Sequence, residues 1–358
     1  SALQKCVFAN GVIVSRASVH WNAERSMRPP QRPFFIGVLS NLVVDRTFVK
    51  FGLSKDAQRF DRAAYERSQP PAVPAFAGQG VVRQDLSVPT VDGSNAARLY
   101  TPTAALPGPL VVYIHGGGWV LNTARQQPYD SLCATISREL GCCVLSLDYR
   151  LAPEHAWPVA VEDIYAALVW LASADAAAVA PGADRERVVL MGESAGGNLA
   201  ACASLMWRDR RPPGLTIAHQ VLLSPCVPTR PLLPSRTDPA RAEAAILPAW
   251  LIDWMEAAYA GEGGVEALSR EPYANPLAAT RLDGLPPLTG VVGGAEVLRD
   301  EGVVLFEAVR AAGGDAAWRE YAGAFHAFVV FPFGDAPDAW RFVFGRLRSA
   351  PGLFEPRP

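Results

Sequence analysis

A serine stands between two glycines at the end of an apolar run, in the sequence Gly192-Glu193-Ser194-Ala195-Gly196. The apolar residues 188–191 predict a short buried strand, and residues 198–201 predict the start of a helix. Glycines two positions before and two positions after the serine allow a strand to turn sharply into a helix, with the serine hydroxyl at the tip of the turn. The pattern therefore predicts a nucleophilic serine, although an ordinary strand-to-helix turn has the same five-residue form.

A serine hydroxyl becomes a good nucleophile only when a base removes its proton, and a third group must orient that base. Of the five histidines, His326 lies in a loop just after the last predicted strand, where it could reach the edge of a sheet. Glu296 is the carboxylate nearest to the end of the preceding strand, 288–292. Asp300 is the alternative acid, and its position also suits capping of the next helix. We therefore predict a triad in the chain order Ser194, Glu296, His326.

A second glycine-rich segment, His115-Gly116-Gly117-Gly118-Trp119, follows the predicted strand 110–114. Attack on an ester carbonyl creates an oxyanion, which backbone N–H groups aimed at it stabilise by several kcal/mol. Three glycines let the backbone approach a substrate without intervening side chains. The N–H of Ala195, at the start of the helix after the serine, is predicted to be the remaining donor. We interpret His115 as a hydrogen-bonding residue that shapes this loop rather than as a second base.

The elements that must position these residues alternate along the chain. Strands are predicted at 110–114, 143–147, 188–191, 221–224, 288–292 and 318–321, and helices at 131–140, 159–172, after the serine, at 302–312 and at 336–349. Such alternation with short connections is typical of a mostly parallel sheet covered by helices on both faces.

Two regions interrupt this alternation. Residues 1–80 are predicted to be a helical N-terminal cap segment that ends in a stretch rich in proline and glycine, and residues 226–279 are predicted to be a cap insertion. The core is then expected in two parts, 81–225 and 280–358. A cap would cover the strand ends, where ligands bind in open α/β sheets. The alternative is that both regions only pack on the core, and Trp250 and Trp254 are expected to pack within the cap.

Composition excludes several classes of protein. The chain has 358 residues, of which 50% are hydrophobic and 19% charged, as in a globular protein. The net charge of −2 gives no reason to expect a nucleic-acid partner or an anionic membrane partner. The apolar run at 34–44 is too short to span a bilayer, and residues 1–20 lack the pattern of a signal peptide. A cytoplasmic protein without stable membrane insertion is expected.

The six cysteines form no C-x-x-C pair, and most are predicted to be buried small apolar residues of a protein in a reducing compartment. Neither a zinc-protease motif nor a Walker motif nor a dinucleotide-binding glycine pattern occurs in the sequence. We therefore expect neither a metal ion nor a nucleotide cofactor.

Taken together, the motifs resemble the hormone-sensitive-lipase-like branch of the α/β-hydrolases, which includes many carboxylesterases. They are HGGGW (115–119), DYRLAPEHAWP (148–158), GESAGG (192–197), GLPPL (284–288), EVLRDEG (296–302) and His326, in the family's order over residues 109–328. The resemblance implies the α/β-hydrolase fold, with the mostly parallel sheet and the helical cap that the alternation and its two interruptions predict. It implies Ser194 as nucleophile, His326 as general base and then acid, Glu296 as orienting acid, and Gly116, Gly117 and Ala195 as oxyanion-hole donors. Residues 148–150 belong to a segment that the family uses structurally.

Three positions depart from the pattern of many family members. Glu193 replaces an aspartate before the serine, and its side chain is predicted to face away from the reaction. Glu296 replaces an aspartate as the triad acid, which requires only a slightly different loop. Asn122 replaces a glycine after the HGGGW segment, and the sequence predicts no consequence of this change.

The function that we predict is that of a serine carboxylesterase which hydrolyses short- to medium-chain or compact natural-product esters through an acyl-enzyme. One alternative is an acyltransferase, or a non-hydrolytic cyclase or lyase, on the same scaffold. A ligand-binding receptor on an inactive hydrolase fold is a further alternative, but such a protein typically lacks a triad member, and all three are present here. The expected partner is a small-molecule ester, and the resemblance makes a homodimer possible.

Overall fold

A computed structural model describes residues 6–9, 12–15, 60–68, 77–78, 80–104, 108–173, 175–176, 183–242, 246–332 and 334–355. The chain divides into two compact units, Ser1–Ala72 and Val73–Pro358. In the first unit, strands β1 (Cys6–Ala9) and β2 (Val12–Ser15) form an antiparallel hairpin, and helix α1 spans Arg62–Ser68. All elements described below belong to the second unit.

The hairpin shows that the prediction of helix throughout residues 1–80 is wrong for its two strands. The strands are rich in β-branched and aromatic residues, which favour extended backbone. The sequence between them is Asn10-Gly11, and Asn-Gly between two apolar runs is a strong hairpin signal. Helix is confirmed at α1, and most of the remaining N-terminal segment lies outside the described residues.

The second unit is built around one nine-stranded sheet with the strand order β11-β10-β9-β8-β6-β7-β5-β4-β3. The strands are β3 (Ala77–Gly78), β4 (Val81–Thr90), β5 (Gly93–Pro102), β6 (Gly108–Ile114), β7 (Val144–Leu147), β8 (Ala183–Glu193), β9 (Ile217–Leu223), β10 (Leu288–Gly293) and β11 (Ala316–Tyr321). Strands β6 to β11 pair in parallel, and β3 to β5 extend the sheet in antiparallel. The predicted mostly parallel sheet is confirmed.

Helices lie between these strands along the chain. They are α2 (Tyr129–Leu140), α3 (Val159–Leu171), α4 (Ala195–Arg210), α5 (Pro234–Thr237), α6 (Pro239–Ala242), α7 (Ala249–Ala260), α8 (Gly264–Leu268), α9 (Arg299–Ala311) and α10 (Ala336–Ser349), with single 3₁₀ turns at Gly261–Gly263, Pro276–Ala278 and Phe328–Val330. Within the described residues, no helix combines the length and the apolar character that crossing a bilayer requires. Helices α5 to α8 lie in residues 226–279, and the assignment of this segment as a cap stays a prediction.

The helices cover both faces of the sheet, as the alternating pattern predicted. On one face, Val111, Val189 and Val291 belong to a buried cluster that also contains apolar residues of α2 and α10. On the other face, the ring of Phe306 in α9 lies so close to Gly290 that a Cβ atom there would be 2.5 Å from it. Because both faces are covered, the central strands contain continuous apolar runs, such as 110–112 in β6 and 188–191 in β8, as is typical of parallel sheets.

The register of the sheet places the candidate site residues at one edge. Ile114 pairs with Gly192 across β6 and β8, and Glu193 pairs with Leu223 across β8 and β9. Val291 of β10 pairs with the same Leu223. The residues that follow these strands therefore lie side by side at the carboxyl edge, where ligands bind in open α/β sheets.

The antiparallel hairpin of β4 and β5 is an element that the sequence interpretation did not include. Its strands pair from Val81 with Pro102 to Thr90 with Gly93, joined by a two-residue turn. Burial alternates along β4, as expected for a strand with one solvated face. Such strands have no continuous apolar run, so this segment lacks the sequence pattern that predicts the central strands. Five of the six cysteines are free and buried, in agreement with the prediction made for most of them: Cys133, Cys142, Cys143, Cys202 and Cys226.

Candidate active site

Ser194 lies at the turn between β8 and α4, at a positive φ of 56°, which non-glycine residues rarely adopt. Its backbone N–H donates to the Leu223 carbonyl at 2.9 Å, and its carbonyl accepts from the N–H of Cys226 at 3.2 Å. The turn is therefore held by β9 and by the chain that follows it. The predicted strand, turn and helix around the serine are confirmed.

The glycines on either side of Ser194 are required by close backbone contacts. A Cβ atom on Gly192 would lie 2.1 Å from the carbonyl oxygen of Gly196. A Cβ atom on Gly196 would lie 2.1 Å from the carbonyl oxygen of Ile114. Both contacts are with backbone, which cannot move aside as a flexible side chain can. The sharpness of the turn therefore depends on both glycines.

We expect Gly196→Ala to reduce both stability and activity, because the added methyl group pushes β6 away from the turn. The loss should be about 2 kcal/mol in the free energy of unfolding, as for an overpacked core. The matched control is Gly345→Ala in α10, where a Cβ atom meets nothing within 4 Å. Chemical denaturation of both variants tests this, and equal stability of the two would contradict the close contact at Gly196.

The structure brings together the three predicted triad residues. The Nε2 atom of His326 lies 2.9 Å from the Oγ of Ser194, and its Nδ1 lies 2.6 Å from the Oε2 of Glu296. An ionised carboxylate only accepts hydrogen bonds, so Nδ1 carries the proton and Nε2 is free to accept one from the serine. All three side chains are buried. The arrangement can remove a proton from the serine hydroxyl.

Two further donors hold the carboxylate of Glu296. Its second oxygen, Oε1, accepts from the backbone N–H of Gly293 at 2.7 Å and from the Oγ of Ser224 at 2.8 Å. Sequence reasoning missed Ser224, although it is the polar last residue of the predicted strand 221–224 and so ends at the same edge. These bonds fix the orientation of the carboxylate, and through it that of His326.

Two opposing effects set the protonation of His326. Burial disfavours the charged imidazolium, but the hydrogen bond and the negative charge of Glu296 outweigh burial and raise the pKa of His326 above its ordinary value. A histidine in these surroundings binds a proton more readily than one in water. It can therefore hold the proton of the serine while a tetrahedral intermediate exists.

Asp300, the alternative acid, does not contact His326. Its Oδ2 accepts from the backbone N–H of Ser235 at 2.8 Å, and its Oδ1 pairs with the guanidinium of Arg299 at 2.7 Å. It lies in the first turn of α9, where a negative charge is favourable. The geometry therefore favours Glu296 over Asp300 as the acid beside the histidine.

The glycine-rich loop after β6 lies beside the turn that carries Ser194. Gly117 has a φ of 117°, and a Cβ atom on it would lie 2.4 Å from the carbonyl oxygen of Leu121, so that no other residue fits. Ala195 is the first residue of α4, where N–H groups have no partner within the helix. The assignment of the N–H groups of Gly116, Gly117 and Ala195 to an oxyanion hole stays a prediction.

His115 has the contacts expected of a residue that shapes the loop. Its Nδ1 lies 2.8 Å from the carbonyl oxygen of Gly116, and its ring stacks on that of Tyr149 with centroids 4.4 Å apart. The Tyr149 hydroxyl donates to the His115 carbonyl at 3.0 Å. Burial lowers the pKa of His115, which keeps the ring neutral. These contacts fix the start of the glycine loop.

The prediction that Glu193 faces away from the reaction is wrong. Its side chain is buried, and its Oε1 lies 3.7 Å from the Nε2 of His326. Its Oε2 accepts a hydrogen bond from the Tyr129 hydroxyl at 3.0 Å. Burial raises the pKa of Glu193 to about 7, against the opposing effects of His326 and Tyr129. Glu193 is the last residue of β8, and alternation along the strand places it on the same face as Val189 and Met191, which belong to the same buried cluster as Tyr129. That alternation could have signalled the direction of the side chain.

Among the residues that the structure describes, one group of buried side chains has donor atoms close enough for a metal ion: Cys226, Glu256 and Glu301, whose ligand atoms lie within 4.8 Å of one another. The guanidinium of Arg236 already pairs with both carboxylates, at 2.9 Å and 2.6 Å. The arginine thus supplies the positive charge that a cation would bring. The group is a buried ion-pair cluster that joins the segment 226–279 to α9.

A cavity of about 280 Å³ lies at the opposite edge of the sheet from Ser194. Its lining includes His219 near the start of β9, Pro287 just before β10 and Asp315 just before β11. Since these residues lie at the amino ends of their strands, the cavity is remote from the serine and the histidine. It takes no part in the chemistry described above.

Comparison with known proteins agrees with this geometry. The family described as the alpha/beta hydrolase fold matches residues 111–330 of the chain. The carboxylic ester hydrolase LipN of Mycobacterium tuberculosis is 38% identical over 255 residues, which are 70% of this chain and 65% of LipN. A 2-hydroxyisoflavanone dehydratase of Glycyrrhiza echinata is 30% identical over 287 residues, or 73% of this chain and 83% of the dehydratase.

Solved structures give the same result. The crystal structure of EstE1, a thermophilic carboxylesterase cloned from a metagenomic library, is similar with a TM-score of 0.69 and 33% identity. The match covers 93% of this chain and 99% of EstE1. The family match over residues 111–330 includes the glycine loop and the serine turn.

Proposed function

Since this chain belongs to the alpha/beta hydrolase fold family, in its hormone-sensitive-lipase-like branch, we propose that it is a serine carboxylesterase with a triad of Ser194, His326 and Glu296. The observation that carries the proposal is the continuous series of hydrogen bonds from the serine hydroxyl through the imidazole to the carboxylate. Such a series is what an activated serine nucleophile requires. The names of LipN and EstE1 support the same class of reaction.

The reaction would proceed through an acyl-enzyme. The Oγ of Ser194 attacks the ester carbonyl while the Nε2 of His326 takes its proton, and the N–H groups of Gly116, Gly117 and Ala195 stabilise the oxyanion. The imidazolium then protonates the leaving alcohol. Water, deprotonated by the same nitrogen, attacks the acyl group and releases the acid. Glu296 keeps the proton on Nδ1 and stabilises the imidazolium in both halves of the reaction.

The substrate would be a compact ester, of short to medium acyl chain or of a small natural product. The segment 226–279 supports this, because Met255 of α7 lies against the glycine loop. A Cβ atom on Gly118 would lie 2.1 Å from the sulfur of Met255. A side chain in that position limits the space available above the loop.

Hydrolysis of p-nitrophenyl esters from acetate to laurate tests this function. We expect kcat/KM to be highest with short acyl chains and to fall towards laurate, because the space near Met255 is limited. Ser194→Ala, assayed on the same series, shows how much of the signal depends on the site. A folded wild-type protein that hydrolyses no ester of the series would contradict the proposal of a general esterase.

The dehydratase relative favours one second candidate, a non-hydrolytic elimination on the same scaffold. Elimination needs a base such as His326 but forms no acyl group on the serine. The two candidates differ in their use of water. Hydrolysis in ¹⁸O-labelled water places the label in the released carboxylate, whereas elimination leaves every product carboxylate unlabelled.

A further inference from the structure

Two of the positions that depart from the family pattern, Glu193 and Asn122, contact the same side chain, Tyr129. The Tyr129 hydroxyl donates to Glu193 Oε2 at 3.0 Å, and the Nδ2 of Asn122 lies 3.5 Å from that hydroxyl. Asn122 Nδ2 also donates to the carbonyl oxygen of Gly116 at 3.2 Å. One network of polar side chains therefore joins the glycine loop to the residue before the nucleophile.

The other end of this network reaches the histidine. Glu193 Oε1 lies 3.7 Å from His326 Nε2 and has no hydrogen-bond partner among the described residues, although it is fully buried. A buried carboxylate oxygen without a donor is costly unless a positive charge forms beside it. The nearest group that becomes positive is the imidazole, when it takes the proton of the serine.

We propose that Glu193 is a positioning residue which places a second carboxylate beside the Nε2 edge of His326 and ties it, through Tyr129 and Asn122, to the glycine loop. In this arrangement His326 lies between two carboxylates. Glu296 holds the Nδ1 side at 2.6 Å, and Glu193 faces the side from which the proton is moved. The inference rests on the proposed function, since it concerns the base of that reaction.

The groups that face Glu193 come from several elements. They are Tyr113 of β6, Tyr129 of α2, Tyr149 in the loop after β7, and His326 and Glu296 from the loops after β11 and β10. Burial raises the pKa of all three tyrosines well above the ordinary value, so that they stay neutral. The tyrosines therefore contribute no charge beside Glu193. The interaction of Glu193 with His326 depends on the protonation of these two residues.

The sign of the effect on pH dependence follows from this. The negative charge of Glu193 favours the imidazolium and so raises the pKa of His326. Esterase activity needs the neutral imidazole, so it rises as pH passes through that pKa. Glu193→Gln has nearly the same shape without the charge, and it should therefore move the acid limb of kcat/KM to lower pH. We expect a shift of about one unit, as for loss of one opposite charge at this distance.

The same variant should lower the maximal kcat by about 10-fold, because the imidazolium in the transition state loses one of its two counter-charges. Tyr129→Phe removes the donor to Glu193 Oε2, which makes the carboxylate harder to ionise. It should move the acid limb in the same direction by a smaller amount. The matched control, Glu139→Gln, changes an exposed glutamate of α2 and should leave the profile unchanged.

The experiment measures kcat/KM for p-nitrophenyl acetate from pH 5 to 9 for the wild type and these variants, together with the ¹⁵N NMR titration of His326 in each. An acid limb and an imidazole pKa that both fall in Glu193→Gln support the inference. An imidazole pKa that stays the same in a folded Glu193→Gln overturns it, whether or not activity has fallen. If neither the wild type nor any variant hydrolyses an ester, the proposed function fails, and the NMR titration still decides the role of Glu193.

Discussion

Replacing Ser194 with alanine is expected to lower kcat/KM for p-nitrophenyl acetate by about 10⁴-fold or more, the size of effect seen when a serine nucleophile is removed. The variant lacks the oxygen that attacks the ester, and His326 then has no proton to take at Nε2. The backbone bonds from residue 194 to Leu223 and Cys226 involve only main-chain atoms, so the turn should be kept. Stability should therefore change little while activity is lost.

The control for this variant is Ser204→Ala. Ser204 is buried on α4, the helix that starts after the nucleophile, and its hydroxyl has no hydrogen-bond partner among the described residues. Removing that hydroxyl should leave kcat/KM unchanged. If Ser194→Ala kept more than a tenth of the wild-type rate while Ser204→Ala behaved as expected, Ser194 would not be the nucleophile.

The second large effect is expected at the acid. Glu296→Gln should lower kcat by about 10⁴-fold, the size of effect observed when the carboxylate of a triad becomes an amide. An amide can turn its NH₂ group towards Nδ1 of His326, which then accepts a hydrogen bond and leaves its proton on Nε2. A histidine in that tautomer cannot take a proton from Ser194. The loss should appear in kcat far more than in KM.

Asp300→Asn separates the two candidate acids. Asp300 bonds to Ser235 and Arg299 rather than to the histidine, so the change should cost stability by about 1 kcal/mol and reduce kcat by less than about 5-fold. Steady-state kinetics and thermal unfolding of both variants test this. If Asp300→Asn lost as much kcat as Glu296→Gln, the assignment of Glu296 as the triad acid would be wrong.

Much of the site could be predicted because its residues lie in short patterns at strand ends. The turn at Ser194 and the glycine loop each have a local steric cause, since a Cβ atom on Gly196 or Gly117 would meet backbone at 2.1 Å or 2.4 Å. Constraints of this kind appear directly in the sequence as glycines. The same holds for His326 and Glu296, whose places follow once the alternation of strands and helices is read correctly.

The contacts around the triad could not be predicted in this way. Ser224 and Tyr129 reach Glu296 and Glu193 across 72 and 64 residues of sequence, so their partners depend on sheet register and on the packing of α2. Local patterns contain no information about such distant partners.

The antiparallel part of the fold was missed for a different reason. Burial alternates along strand β4, which therefore has no continuous apolar run. The segment lacks the pattern by which the parallel strands are predicted. The hairpin of β1 and β2 was missed although Asn10-Gly11 lies between two apolar runs. A turn signal such as Asn-Gly predicts a short hairpin better than the length of an apolar run does. The central parallel strands contain continuous apolar runs, and the sequence therefore predicts them.

The most direct test of the central claim is to trap the acyl-enzyme. The protein is mixed with p-nitrophenyl acetate, quenched with acid within milliseconds, digested and analysed by mass spectrometry, with Ser194→Ala treated in parallel. We expect one acetyl group, on the peptide that contains Ser194, and none in the variant. Rapid hydrolysis by the wild type with the acetyl group on another residue, or with no acyl group at any quench time, would contradict catalysis by Ser194.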